Sequence, residues 1–84
     1  MMFKVIINIK KEGFFFGETT TTTTIVVETK SFIDAQLALK EKFTDQANYY
    51  TNESKNRNTW CKIDPERYTI RTDWINMKFD LIIE

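Results

Sequence analysis

The sequence predicts a small α+β domain in which an antiparallel sheet of four or five strands packs one helix on one face. Three observations support this fold class. A run of six threonines, Thr19–Thr24, leads into Ile25–Val27, and these β-branched residues favour strands. Apolar and polar residues alternate near both ends of the chain, and one amphipathic helical pattern lies between them. The element order is ββαββ, or ββαβββ if residues 59–63 also pair, in a single domain of residues 1–84.

The first two strands are expected to form a hairpin. The first is predicted over Phe3–Lys10, and the second over Thr20–Thr29. Between them, two glycines bracket the tract Phe14–Phe16, and glycine allows the chain to turn at each end of this tract. In a regular second strand Ile25 and Val27 share a face, so both are expected in the core.

One helix is expected to begin after Ser31, whose hydroxyl can accept from an amide in the first turn. Apolar residues then recur every three or four positions, which is typical of a helix with one buried face. We expect this helix to reach at least Phe43, with Tyr50 extending the same face, and the sequence leaves open whether residues 44–58 are helix or loop. Residues 51–58 are all polar and predict a surface loop.

The last third of the chain predicts further strands. A short strand over residues 59–63 precedes a turn at Pro65, then a strand over Tyr68–Trp74, a break near residues 75–76, and a last strand to Ile83. The predicted core comprises Phe3, Val5, Ile7, Ile9, Ile25, Val27, Phe32, Ala35, Leu39, Phe43, Ile70, Trp74, Phe79, Leu81 and Ile83.

Enzyme chemistry has little support in this sequence. The chain has no histidine, so the most common general base is absent, and Cys61 has no histidine to activate it. We therefore expect no catalytic residues, no metal and no cofactor. A carboxylate and metal enzyme using Asp64 and Glu66 is the weaker alternative, because two carboxylates on a turn are usually just solvated.

Charge and cysteine content limit the partners and the compartment. Twelve basic residues balance twelve acidic ones, which disfavours duplex binding and favours self-association. A single cysteine excludes an intrachain disulfide, and no apolar run approaches the roughly 20 residues that span a bilayer. We expect a cytoplasmic protein without a membrane partner. Abundant Lys, Ile, Asn and Phe, which have AT-rich codons, indicate a low-GC bacterium or its mobile elements.

The leading functional prediction is a non-catalytic protein-binding module that forms a small homodimer or binds another protein. One concrete form is a phage-encoded inhibitor or regulator of a host protein. Three adjacent phenylalanines cannot all lie under one helix, so they either fold back onto the core or anchor a partner. The threonine run carries no charge or proline, and such a strand at a sheet edge can pair with another chain. The predicted contact residues are Phe14, Phe15, Phe16, Thr20, Thr22 and Thr24.

The alternative prediction is binding of single-stranded nucleic acid, in which aromatic rings stack on bases and cations contact phosphates. Nucleic acid is the less favoured partner because the net charge is zero. The residues assigned to this platform are Phe15, Tyr49, Trp60, Lys55, Arg57 and Lys62.

Overall fold

Five strands form one antiparallel sheet in the computed structural model, which describes residues 1–12 and 19–84. The order across the sheet is β2-β1-β5-β4-β3, so β2 and β3 are its edges. The α+β class is confirmed, in its five-strand ββαβββ form. The tract Phe14–Phe16 lies outside the described residues. The elements are β1 (Phe3–Glu12), β2 (Thr19–Thr29), α1 (Phe32–Asn56), β3 (Cys61–Asp64), β4 (Thr69–Thr72) and β5 (Ile75–Ile83).

The helix α1 covers one face of the sheet through a buried stripe that recurs every four residues. The Ser31 hydroxyl accepts a hydrogen bond from the Asp34 amide at 3.2 Å, as the sequence predicts. Further along, the Phe43 ring meets Phe79 edge-on with 5.5 Å between ring centroids. No helix in the described part of the chain packs on the other face of the sheet, which we call the open face. The buried apolar residues of the helix are Ala35, Leu39, Phe43 and Ala47.

The helix continues past Tyr50 to Asn56, so the prediction of a loop is wrong for residues 51–56. Polar composition suggested a loop, but Ser54 lies seven residues, about two helical turns, beyond Ala47 and continues the buried stripe. The helix ends where Asn58 adopts a left-handed φ of 54°. Its amide donates to the Lys55 carbonyl, and the next amide donates to the Ser54 carbonyl at 2.9 Å. This pair of hydrogen bonds is the Schellman arrangement, which asparagine can terminate.

The Ser54 hydroxyl is buried without a hydrogen-bond partner among the described residues, and the side chain is only 2% exposed. An unpaired buried hydroxyl is unfavourable, and alanine is also the better helix former. We expect Ser54→Ala to raise the free energy of unfolding by about 1 kcal/mol in urea denaturation. Asn52→Ala, at an exposed position, controls for helix propensity; an equal gain there would show that burial of the hydroxyl is irrelevant.

A bulge in β2 removes Ile25 from the core. Val5 pairs with Val27, but the next residue, Ile6, pairs with Ile25, so Val26 is the extra residue. Two residues of a bulged strand oppose one on its neighbour, and both valines pack against the core. Ile25 is 53% exposed on the open face. The prediction of Ile25 as a core residue is wrong because it assumed unbroken alternation.

The strand predicted over Tyr68–Trp74 is shorter, because the chain turns after Thr72. The Thr72 hydroxyl accepts hydrogen bonds from the amides of Trp74 and Ile75, at 3.2 and 3.0 Å. This side chain closes a two-residue turn at residues 73–74, so β5 begins at Ile75 rather than after it.

Most of the predicted core is confirmed, with differences at its ends. Phe32 and Ile83 are exposed, because both lie where the helix begins and covers the end of the sheet incompletely. The residues Ala47, Ile75 and Met77 are buried and were not predicted. Ile9, Val27, Trp74 and Leu81 are partly buried against the core. Those found buried as predicted are Phe3, Val5, Ile7, Ala35, Leu39, Phe43, Ile70 and Phe79.

Candidate functional site

The first candidate surface is the β2 edge, which we define as Thr19–Ile25. β2 pairs with β1 on one side, and no other described strand pairs with it. All six threonine side chains are exposed. Thr23 donates its hydroxyl to the Asn8 amide oxygen at 2.8 Å across the strand pair. The β2 edge therefore presents an open backbone ladder flanked by small, uncharged side chains.

The predicted contact residues Thr20, Thr22 and Thr24 occupy alternate positions of this edge. They pair with Lys11, Ile9 and Ile7 respectively, so they lie on the same side of the sheet as α1. They remain exposed because the helix does not cover this corner.

The open face carries one exposed apolar side chain on the β2 edge and another two strands inward. Ile25 pairs directly with Ile6, and Ile82 lies on the same face one strand further, opposite Lys4. Ile25 and Ile82 both expose large side chains. A partner strand that pairs with the β2 edge would therefore find the Ile25 side chain beside it, whereas Ile82 on β5 is two strands inward.

Lys4 is held by two carboxylates at this end of the open face. Its Nζ lies 3.0 Å from Glu84 and 3.7 Å from Glu28. The hydrogen bond with Glu84, more than any other influence, raises the pKa of the Lys4 ammonium above its ordinary value. Lys4 is consequently engaged within the protein and offers little free positive charge to a ligand.

The second candidate surface is a line of polar residues that crosses the open face. Lys10 pairs with Asn76, Asn76 with Arg71, and Arg71 with Lys62. Directly opposed residues share a face and neighbouring strands lie about 4.8 Å apart, so these side chains form one row. We call Lys10, Asn76, Arg71 and Lys62 the basic row. It brings together three cations from three different strands.

A depression of about 370 Å³ lies at the end of this row. Lys10, Arg71 and Asn76 line it together with Trp60, whose side chain is 51% exposed. Asp73 also lines it, and its carboxylate accepts a hydrogen bond from the Thr59 hydroxyl at 3.0 Å. The site therefore combines cations, an amide and an accessible indole ring, with one carboxylate at its margin.

The predicted nucleic-acid platform is not assembled as the sequence suggested. Lys55 and Arg57 lie at the end of α1, and the Arg57 guanidinium stacks 4.2 Å from the centre of the Trp74 ring. Arg57 also pairs with Glu53 at 3.8 Å. Trp60 lies instead with the basic row, to which Lys62 belongs.

Two tyrosines of the helix are also separate from the basic row. Tyr49 is exposed on α1 and contacts Tyr50 edge-on with 5.0 Å between ring centroids. Tyr50 packs beside Trp74, and burial raises the pKa of its phenol above the ordinary value. Tyr50 is thus part of the packing between helix and sheet rather than of an exposed stacking surface.

The Asp64 carboxylate on the Pro65 turn is used by the turn itself. One oxygen of Asp64 accepts hydrogen bonds from the amides of Glu66 and Arg67, at 3.1 and 3.2 Å. Its other oxygen lies 3.9 Å from the Arg67 guanidinium. In residues 1–12 and 19–84, no three side chains of ligand type cluster as a metal site would require. Cys61 is a half-buried free thiol.

Sequence reasoning missed Lys10, Arg71 and Asn76 as site residues. Alternation in β1 and β5 indicates that Lys10 and Asn76 face away from the core, but it does not reveal which strands are neighbours. β1 lies beside β5 although they are at opposite ends of the chain. The basic row exists only because of this non-local pairing.

The chain matches no protein-family model, no curated protein and no solved structure. Among the residues that the structure describes, none belongs to a helix with the length and apolarity needed to cross a bilayer.

Proposed function

We propose that this protein is a non-catalytic protein-binding module that pairs an extended strand of a partner with the β2 edge. The observation that carries this proposal is the position of β2: it is an eleven-residue strand at the border of the sheet. An edge strand presents a row of free amides and carbonyls, which an incoming strand can satisfy.

The β2 edge lacks the usual protection against such pairing. Natural edges carry lysine, proline, a bulge or a short strand. Thr19–Thr24 has neither charge nor proline, and the bulge at Val26 lies beyond it. Exposed Ile25 adds apolar contact area beside the ladder. Main-chain pairing would supply affinity, and Ile25 would favour partners with an apolar side chain in register.

A second copy of the chain is the simplest partner. Antiparallel pairing of two β2 strands around a two-fold axis removes both open edges at once. A net charge of zero adds little repulsion between copies. Alternatively, the strand comes from another cytoplasmic protein, and a mobile-element inhibitor of a host enzyme would act by occupying its surface in this way.

Two adjacent proline substitutions test the proposal. In an edge strand, successive amides alternate between the neighbouring strand and the free side, and proline removes one amide. One of Thr21→Pro and Thr22→Pro should therefore break a bond to β1 and lower the melting temperature. The other should leave the fold stable and abolish association. Sedimentation equilibrium over a range of concentrations measures self-association, and thermal unfolding identifies which variant keeps the fold.

Thr22→Val is the matched control, because it keeps the amide and the β-branched shape while it removes the hydroxyl. It should associate like the unmodified protein. If the unmodified protein is monomeric, the same three variants are used as bait in a bacterial lysate. A protein that binds the original and the valine variant, but not the stable proline variant, supports the proposal. Association or capture that is unaffected by the stable proline variant would contradict it.

A further inference from the structure

We propose that the basic row binds the phosphate backbone of single-stranded nucleic acid and that Trp60 stacks on one of its bases. This activity is separate from the proposed protein binding, because the basic row and the β2 edge use different residues. The first observation that supports it is the alignment of three cations, each on a different strand.

The charges of the basic row are available to a ligand. Among the described residues, the ion pairs involve Lys4, Arg57 and Arg67, and none involves Lys10, Lys62 or Arg71. Asp73 lines a depression with Lys10 and Arg71, and Asp64 lines another with Lys62 and Arg71, so the three cations of the row outnumber the two carboxylates beside it by one. Unpaired cations in a line match a polyanion, whose phosphates repeat along its length.

The pairing pattern also gives the row its dimensions. Arg71 and Lys62 lie on adjacent strands, about 4.8 Å apart, whereas Asn76 separates Lys10 from Arg71 by about 10 Å. Asn76 brings an amide between the cations, which can contact a sugar or a base. A flexible strand can adapt to this uneven spacing along its backbone.

The exposed ring of Trp60 favours a single strand over a duplex. It lines the same depression as Lys10 and Arg71. An unpaired base can leave its neighbours and stack on an indole ring, whereas the bases of a duplex are stacked on each other.

The experiment measures binding of fluorescein-labelled oligothymidylate to the full chain by anisotropy, at several salt concentrations. The triple variant Lys10→Gln, Arg71→Gln, Lys62→Gln should weaken binding by at least about tenfold at low salt. It should also reduce the slope of log K against log salt by about 0.7 for each lost contact, or about 2 in total. The three positions are solvent-facing, so melting temperature should be unchanged.

The matched control removes three exposed lysines elsewhere, as Lys30→Gln, Lys40→Gln, Lys55→Gln, with the same change in net charge. This control should bind like the unmodified protein. If both triple variants weaken binding equally, binding depends only on the net charge of the protein and the proposal is overturned. Absence of binding at low salt would overturn it as well.

Trp60 gives an independent measurement of stacking. Oligothymidylate should quench the tryptophan fluorescence of the original protein, and Trp60→Leu should remove most of that quenching and weaken binding about tenfold. A duplex of matched length should compete poorly. Equal competition by the duplex, or undiminished quenching in Trp60→Leu, would contradict the assignment to a single strand. The stable proline variant of β2 should bind oligothymidylate normally, so failure of one proposal leaves the other testable.

Discussion

Phe43→Ala is expected to lower the free energy of unfolding by about 3–5 kcal/mol. Phe43 is 6% exposed and lies at the middle of the helix. Its ring meets Phe79 of β5 at 87° and Tyr68, beside β4, at 77°. One side chain thus joins the helix to two parts of the sheet, and its removal leaves a cavity between layers that cannot easily collapse.

Urea denaturation followed by circular dichroism measures this loss. Thr44→Ala is the control, since Thr44 is the exposed neighbour on the same helix and its removal should change stability by less than about 0.5 kcal/mol. A loss below about 1 kcal/mol for Phe43→Ala would mean that the face of α1 is wrongly assigned.

The fold class could be predicted from the sequence because it depends on patterns formed by residues close together in the chain. The spacing of Ala35, Leu39 and Phe43 indicated one buried helical face, and the Ser31 cap indicated where the helix begins. Both features depend on residues a few positions apart. They therefore hold whatever the rest of the chain does.

The differences between prediction and structure arise from contacts between distant residues or from a single side chain. Residues 51–56 were predicted as loop because they are polar. They are helical, and Ser54 can lie on the buried face of α1 because its side chain is small. The bulge at Val26 reverses the faces of everything before it in β2, and no residue in the strand marks it. The Thr72 hydroxyl sets the β4–β5 turn two residues earlier than composition suggested.

Of the two candidate surfaces, one could be predicted from local sequence and the other could not. The β2 edge was predictable because a run of threonines is a local signal for an exposed strand. The basic row was not, because it requires knowing that β1 lies beside β5 and that β5 lies beside β4. Trp60 and Lys62 were considered for nucleic acid because they are close in sequence, but in space Trp60 lies with Lys10 and Arg71, and Lys62 pairs with Arg71.

The two proposed surfaces are compatible in one assembly. The two-fold axis that relates antiparallel edge strands is perpendicular to the sheet, so both open faces of a β2-paired dimer point the same way. The two basic rows would then lie on one continuous surface. Dimerisation would strengthen binding to a strand long enough to reach both rows, because the second contact becomes intramolecular.

The largest loss of stability is expected from a charge placed at Val5, between the sheet and the helix. Val5 is 0% exposed on β1, an interior strand of the sheet, beneath the helix. Val5→Lys would place an ammonium in an apolar layer without a partner, so we expect it to lower the free energy of unfolding by at least about 4 kcal/mol. Expression as soluble protein followed by thermal unfolding measures this loss.

Ile25→Lys is the matched change and should behave in the opposite way. Unbroken alternation along β2 would bury Ile25 with Val27, whereas the bulge leaves Ile25 on the open face opposite Ile6. The lysine can extend into water there, so stability should change by less than about 1 kcal/mol. The same substitution adds a charge at the β2 edge and should weaken association there, because a charged side chain opposes edge pairing. Unfolding of Ile25→Lys would show that β2 is regular and that Ile25 is part of the core. A folded variant that no longer associates would support both the bulge and the proposed docking edge.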